Sequence, residues 1–356
     1  MTFVPPDLWE RKLQKLLLGF AATLLATACG ASEPKQLSPD SVVKGLNYVG
    51  VVVADIEQST AFYETANMSV VEDQTLQDSE AIDALSGREN VVVETRMLRS
   101  ANAQVRLMQF SDRDMTVAAV AVQGPGIAHV CHQVAQSTQT YQNFLVAGAK
   151  VIGDPELVQL SSRNPVYYGY VEDLDGAVIE IEHVDIEKLN LPEPPKNEYR
   201  IRHVALASPD VDRIAEFYSA FLDQPDPRRI GGSGGFGGKK IDAVSGLEGS
   251  KIKMAWFQIR NIELEISQYV SHPTELPATP RPIDATGYNL IVFDVDDLDA
   301  AMSKFVDAGG TIATEPEAMD GGTIVFGRDP DGNLIGLQAA PADAIVSSKN
   351  FSGNGT

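Results

Sequence analysis

Residues Tyr48 to Tyr63 align without a gap on His203 to Tyr218, each stretch passing from strand-like alternation into a helical spacing that ends in Phe62-Tyr63 or Phe217-Tyr218. Further along, Ile82-Asp-Ala-Leu-Ser-Gly87 to Phe110 matches Ile241-Asp-Ala-Val-Ser-Gly246 to Tyr269 over the same 29-residue span. Self-similarity at so long a period means a duplicated structural unit. Each half divides again. His129-Val-Cys-His-Gln-Val134 alternates as a half-buried strand, followed by Tyr141, Phe144, Leu145 and Ala147 at helical spacing. Leu290 to Val295, followed by Leu298, Ala301, Met302, Phe305 and Val306, repeats that order. Asp173-Leu-Asp-Gly176 and Asp329-Pro-Asp-Gly332 then turn the chain into final strands at 177–182 and 333–338, because Asp-Gly favours tight hairpins. The pattern reads as an α+β chain of four βαβββ modules: a first domain over 45–190 (modules one and two), a proline-rich linker over 191–199, and a second domain over 200–340 (modules three and four). The small, polar tail 341–356 is expected to be disordered.

Lys and Arg number 28 against 49 Asp and Glu, a net charge of −21 that sets aside nucleic acid as a partner. Two cysteines, Cys29 and Cys131, make neither a disulfide scaffold nor a thiolate-rich zinc site. Arg11, Lys12 and Lys15 precede an apolar run from Leu16 to Ala28 that is short for a permanent span and reads as an export signal over 1–28. The run closes on Ala26-Thr27-Ala28-Cys29-Gly30, which resembles a bacterial lipobox with alanine where leucine is usual. That resemblance implies lipidation of Cys29 and a membrane anchor in the cell envelope; the polar stretch over 29–44 reads as a tether, and the protein is expected to be a monomer. With Gly30 and no aspartate after the cysteine, the expectation is an outer-membrane lipoprotein facing the periplasm. The same Ala-x-Ala also suits ordinary signal cleavage, which would give a soluble secreted protein.

The stretches Val-Ala-Asp-Ile to Phe62-Tyr63 and Ser-Pro-Asp-Val to Phe217-Tyr218, with the Asp-x-Asp-Gly hairpins, resemble the vicinal oxygen chelate superfamily over about residues 45–340. That superfamily includes glyoxalase I, methylmalonyl-CoA epimerase, extradiol dioxygenases and bleomycin-resistance proteins. The resemblance implies paired modules whose curved, mixed sheets form cups, with metal ligands at the start of each module's first strand and on its last strand. Carried onto this chain, module one offers Tyr48 and Arg106, and module four offers Leu290 (or Asn289, one register along) and Gly336, none of them a suitable ligand. Modules two and three offer His129 with Glu180, and His203 with Glu265. The four suitable residues meet in one cup only if the middle modules pair and the outer modules pair.

Two imidazoles and two carboxylates suit one six-coordinate divalent ion, whether nickel, cobalt, iron, manganese or zinc, with two positions left for neighbouring substrate oxygens. Such an ion stabilises an enediolate or enolate while a carboxylate, Glu180 or Glu265, accepts the proton as catalytic base. The implied function is therefore an exported lyase, isomerase or epimerase acting on a small oxygenated substrate. The alternative is a noncatalytic small-molecule-binding protein of the bleomycin-resistance type. A ring-cleaving dioxygenase is weaker still, since it would place a histidine and a glutamate in the last module, where Leu290 and Gly336 stand.

Other residues have plainer readings. Glu182 and Glu263 share strand parity with the candidate carboxylates, either as a solvated face or as support behind them. His132, of opposite parity to His129, should face a helix, Cys131 should line the cup inertly, and His183 and His272 should lie at the surface. The glycine-rich run Gly231 to Lys240 lacks the Walker spacing and reads as a mobile loop able to close over the cup. Tyr48, Val52, Met108 and Leu290 suggest that the outer cup is packed shut, with Arg106 as its one anion-binding group.

Overall fold

The computed structural model describes residues 37–113, 117–134, 139–162, 165–185 and 199–355. The export signal, Cys29 and all of the linker except Tyr199 lie outside the described residues. Module one comprises β1 (Val43–Val52), α1 (Ile56–Glu64), β2 (Ser69–Leu76), α2 (Glu80–Ser86), β3 (Val93–Arg99) and β4 (Gln104–Phe110). Module two comprises β5 (Gly126–Val134), α3 (Gln139–Val146), β6 (Lys150–Ile152), β7 (Val158–Gln159), β8 (Val166–Glu172) and β9 (Val178–Val184). Module three comprises β10 (Tyr199–Ala207), α4 (Val211–Phe221), β11 (Arg228–Ile230), β12 (Phe236–Gly237), α5 (Lys239–Ser245), β13 (Lys251–Gln258) and β14 (Glu263–Tyr269). Module four comprises β15 (Gly287–Val295), α6 (Leu298–Asp307), β16 (Thr311–Ile312), β17 (Glu317–Met319), β18 (Gly322–Arg328) and β19 (Leu334–Ala339).

The repeats recur because the same local chemistry recurs. Asp55, Asp210 and Asp297 cap α1, α4 and α6 by accepting from backbone N–H groups in the first turn, which ends each first strand and starts its helix. The repeated Ser-Gly pairs stop α2 and α5, with Gly87 and Gly246 in the left-handed region at φ 68° and 71°. The Asp-x-Asp-Gly segments form the expected turns, Gly176 N–H donating to Asp173 O and Gly332 N–H to Asp329 O.

The modules pair inner with inner and outer with outer. A ten-stranded sheet runs β11-β13-β14-β10-β5-β9-β8-β6, with β12 on β13 and β7 on β8. A nine-stranded sheet runs β16-β18-β19-β15-β1-β4-β3-β2, with β17 on β18. Both join through antiparallel first strands, β10 with β5 and β1 with β15, flanked by parallel last strands. These central strands are buried on both faces, one under helices and the other inside the cup.

The helices tie each tandem half together while the sheets exchange partners. Phe62 on α1 stacks on Phe144 of α3 at 4.9 Å, and Phe217 on α4 meets Phe305 of α6 edge-on at 5.3 Å. Tyr63 and Tyr218, the last residues of the repeated Phe-Tyr pairs, donate their hydroxyls to Asp173 and Asp329 at 2.9 Å each. One apolar core joins the helix-covered faces of both sheets.

Three expectations are corrected. The tail is not disordered over its described part: Val346, Ser347 and Ser348 are fully buried, Ser348 N–H donates to Asn47, and its hydroxyl donates to Asp294. Small polar side chains serve there because they satisfy buried strand-end groups. His183 is buried against Tyr167 rather than at the surface, and His272 is half-buried beside Ser271. The glycine-rich run is not a free loop; it forms β12 on β13 and leads directly into α5.

Candidate metal centre

Register places the four carried-over residues on one face at the centre of the ten-stranded sheet. Ala205 stands opposite His129 across β10 and β5, and beside Glu265 on β14, while Cys131 stands beside Glu180 on β9. His203, two residues before Ala205, pairs with Cys131, so period two brings all four side chains to the cup face. All four are buried.

Their polar atoms converge. The Nε2 atoms of His129 and His203 lie 3.1 Å apart, and Glu180 Oε2 lies 2.9 Å from His203 Nε2 and 3.5 Å from His129 Nε2. Two cis ligands 2.1 Å from a common ion stand about 3.0 Å apart, so these separations have the scale of one face of a coordination shell. Glu265 is farther out, its oxygens 3.6 Å from His203 Nε2 and 3.9 Å from His129 Nε2. Ligand atoms of His129, Glu180 and His203 all lie within 4.8 Å of one another, a group that could hold a metal ion.

The donor chemistry fits a cation. Two imidazole nitrogens facing each other across 3.1 Å repel unless a proton or a metal lies between them, and the Nδ1 atoms of both rings find no hydrogen-bond partner among the described residues. Burial alone would push the Glu180 carboxyl up, but the imidazoles of His129 and His203 close beside it outweigh that and hold the group well below the usual carboxylate range. Burial would likewise lower His203, yet the charges of Glu265 and Glu180 raise it. The cup thus favours positive charge at its centre.

Behind the centre lies a second ring of charge. Arg202 pairs with Glu182 and stands 3.6 Å from Glu263, which Arg228 also approaches at 3.7 Å. Burial would raise the Glu263 carboxyl, but Arg202 and Arg228 bring it below its ordinary value. Glu182 and Glu263 are therefore ion-paired supports and not a solvated face. Cys131 is buried, and burial raises its thiol well above the ordinary value, which keeps it inert. His132 packs edge-on against Phe144, and burial pulls it down to about 4, a neutral core residue as its parity suggested.

A cover closes the cup. Ile241 and Val244 on α5 pack with Tyr170, Val178, Ile252 and Tyr269, and Phe236 packs against the same cluster. Lys240 Nζ donates to Gln159 O and Asp154 N–H to Ala243 O, so module three's α5 is latched onto module two.

The residues matching two models of the Glyoxalase/Bleomycin resistance protein/Dioxygenase superfamily are 47–168 and 200–337, which together take in most of the chain. The chain belongs to this superfamily. No curated protein matches it in sequence. Among solved structures it is similar to glyoxalase I from Zea mays at 17% identity, covering 83% of this chain and 92% of that one with a TM-score of 0.55. It is also similar to a putative dioxygenase from Bacillus subtilis at 10% identity, covering 85% and 86% with a TM-score of 0.55. At such identities the likeness is one of fold.

The outer cup of this glyoxalase-superfamily chain is closed by its own side chains. Tyr48, Arg106, Leu290 and Gly336 occupy there the register positions of His203, Glu265, His129 and Glu180. A Cβ on Gly336 would stand 2.9 Å from Val292 Cγ2, leaving no room for a carboxylate. Arg106 is paired with Asp320 at 2.8 Å and bonded to Tyr48, so its charge is already answered from within. Sequence reasoning missed Asp320, Arg202, Arg228 and Trp256; Trp256 faces Glu265 only through the register of the β13–β14 ladder, which no sequence motif announces.

Proposed function

We propose that this protein is an exported, glyoxalase-like metalloenzyme of the lyase, isomerase or epimerase type. The observation that carries the reading is the convergence of His129, His203 and Glu180, with Glu265 a step farther out, inside a covered cup. A divalent ion held there supplies Lewis-acid polarisation to neighbouring oxygens of a small substrate. The protein's own contribution is threefold. The histidines and Glu180 fix the ion's position, a carboxylate takes or returns the proton on the adjacent carbon, and the α5 cover excludes water. Tyr170, whose ring centroid lies 5.2 Å from that of His129, and the apolar cluster under α5 favour a substrate with an apolar body beyond its paired oxygens.

The test is metal analysis of the purified protein together with deuterium exchange from a small α-hydroxy ketone. The expected outcome is about one divalent ion per chain and exchange that is lost in His129→Ala and His203→Ala. A metal-free protein that binds the ketone tightly, indifferent to both substitutions, points instead to a sequestering protein. Export through Cys29 belongs to the same proposal. A fatty-acid analogue should label the wild type and not Cys29→Ser, and equal labelling of both would remove the lipid anchor from the account.

A further inference from the structure

The two glutamates of the centre are not equivalent, and the asymmetry has a physical source. Trp256 on β13 stands directly opposite Glu265 on β14, and its indole N–H donates to Glu265 Oε2 at 2.7 Å. Indole is a donor with no acceptor, and this one is buried, so Oε2 is its partner within the fold. The ring cannot easily turn, because the Arg228 guanidinium lies over it at 4.0 Å and is itself drawn towards Glu263 at 3.7 Å.

The other positions of the repeat lack this arrangement. Opposite Arg106 in the outer cup stands Met97, which offers no donor. Opposite Glu180 stands Tyr170, while the near neighbours of Glu180 Oε2 are the two imidazoles. Glu180 therefore leans on the histidines at 2.9 and 3.5 Å, whereas Glu265 is kept at 3.6 and 3.9 Å. Bringing Glu265 to cis-ligand distance means moving Oε2 from 3.6 Å to about 3.0 Å of His203 Nε2, or Oε1 from 3.9 Å to about 3.0 Å of His129 Nε2, and either movement works against the indole N–H that holds the carboxylate towards β13.

We infer that Trp256 is a positioning residue that holds Glu265 off the metal, leaving His129, His203 and Glu180 as the standing ligands and Glu265 as the detached carboxylate of the centre. The inference rests on the metal-centre reading above and refines it. It assigns metal affinity to three residues and reserves the fourth for substrate.

Cobalt(II) serves as the probe, with binding read by titration and ligand number by the visible absorption bands of the bound ion. Wild-type and Glu265→Gln proteins should bind cobalt within about fivefold of each other and share one spectrum, while Glu180→Gln should lose about a hundredfold or more. Trp256→Phe should bind more tightly than wild type with a shifted spectrum, because Glu265 is then free to ligate. Adding Glu265→Gln to Trp256→Phe should restore the wild-type spectrum. A loss in Glu265→Gln as large as that in Glu180→Gln overturns the inference, as does a Trp256→Phe spectrum and affinity identical to wild type. Should Trp256→Phe fail to fold, Glu265→Gln against Glu180→Gln decides alone. A wild-type protein that takes up no cobalt overturns the metal reading itself, an outcome distinct from either failure.

Discussion

Arg106 fills the place in the outer cup that Glu265 fills in the inner one, and its guanidinium meets Asp320 with both side chains only 1% exposed. Such a pair contributes little against an apolar replacement, yet losing one partner leaves a charge buried without its counter-ion. Asp320→Ala should therefore destabilise the protein by about 3 kcal/mol in urea unfolding, Glu72 at 3.4 Å answering only part of the charge, while metal content stays unchanged. Individual residues were legible in the sequence where the repeat supplied a template. His129, Glu180, His203 and Glu265 could each be set against a Tyr48, Arg106, Leu290 or Gly336 that had lost the chemistry. Trp256 and Asp320 were not legible, because their partners are set by hairpin register and by a turn 214 residues away in sequence from Arg106.

Between elements, the Phe-Tyr and Asp-x-Asp-Gly segments were read separately, one as a helix and one as a hairpin, yet they are partners 110 and 111 residues apart. Their junctions carry a pH signature. Burial pushes the Asp173 carboxyl from 3.8 up to about 6, and Asp329 likewise, in spite of the hydrogen bonds each accepts. A folded-state value above the unfolded one means the native protein holds the proton more tightly. That contribution to stability is complete below pH 3.8 and is lost as pH rises through about 6. Asp173→Asn, which keeps the neutral form, should flatten the decline between pH 5 and 7.5 and leave the variant more stable than wild type at pH 7.5 by roughly 2 kcal/mol. Urea unfolding at the two pH values measures this; a wild-type advantage that grows with pH would show that Asp173 is held charged. The glycine run shows the opposite limit of sequence reading. Glycine content suggested mobility, whereas a Cβ on Gly237 would lie 1.9 Å from Ser250 O, so close strand contact is what that position requires.

At the scale of the whole molecule, the exchange of partners decides where chemistry is found. Tandem pairing would have left each cup with half of the candidate ligands; inner-with-inner pairing puts all four candidates in one cup and a packed ion pair in the other. The sequence pointed to this pairing through the distribution of suitable residues among the modules and not through any local signal. The packing of residues 341–355 was hidden, because a short polar segment carries no periodicity and its order comes from Asn47, Asp294 and Arg260 elsewhere in the chain. The most direct measurement is anomalous X-ray diffraction from crystals of the purified protein grown with cobalt(II). The account predicts one strong peak bounded by His129, His203 and Glu180, with Glu265 still bonded to Trp256 and no peak beside Arg106; a cup without an ion, or an ion in the outer cup, would contradict it.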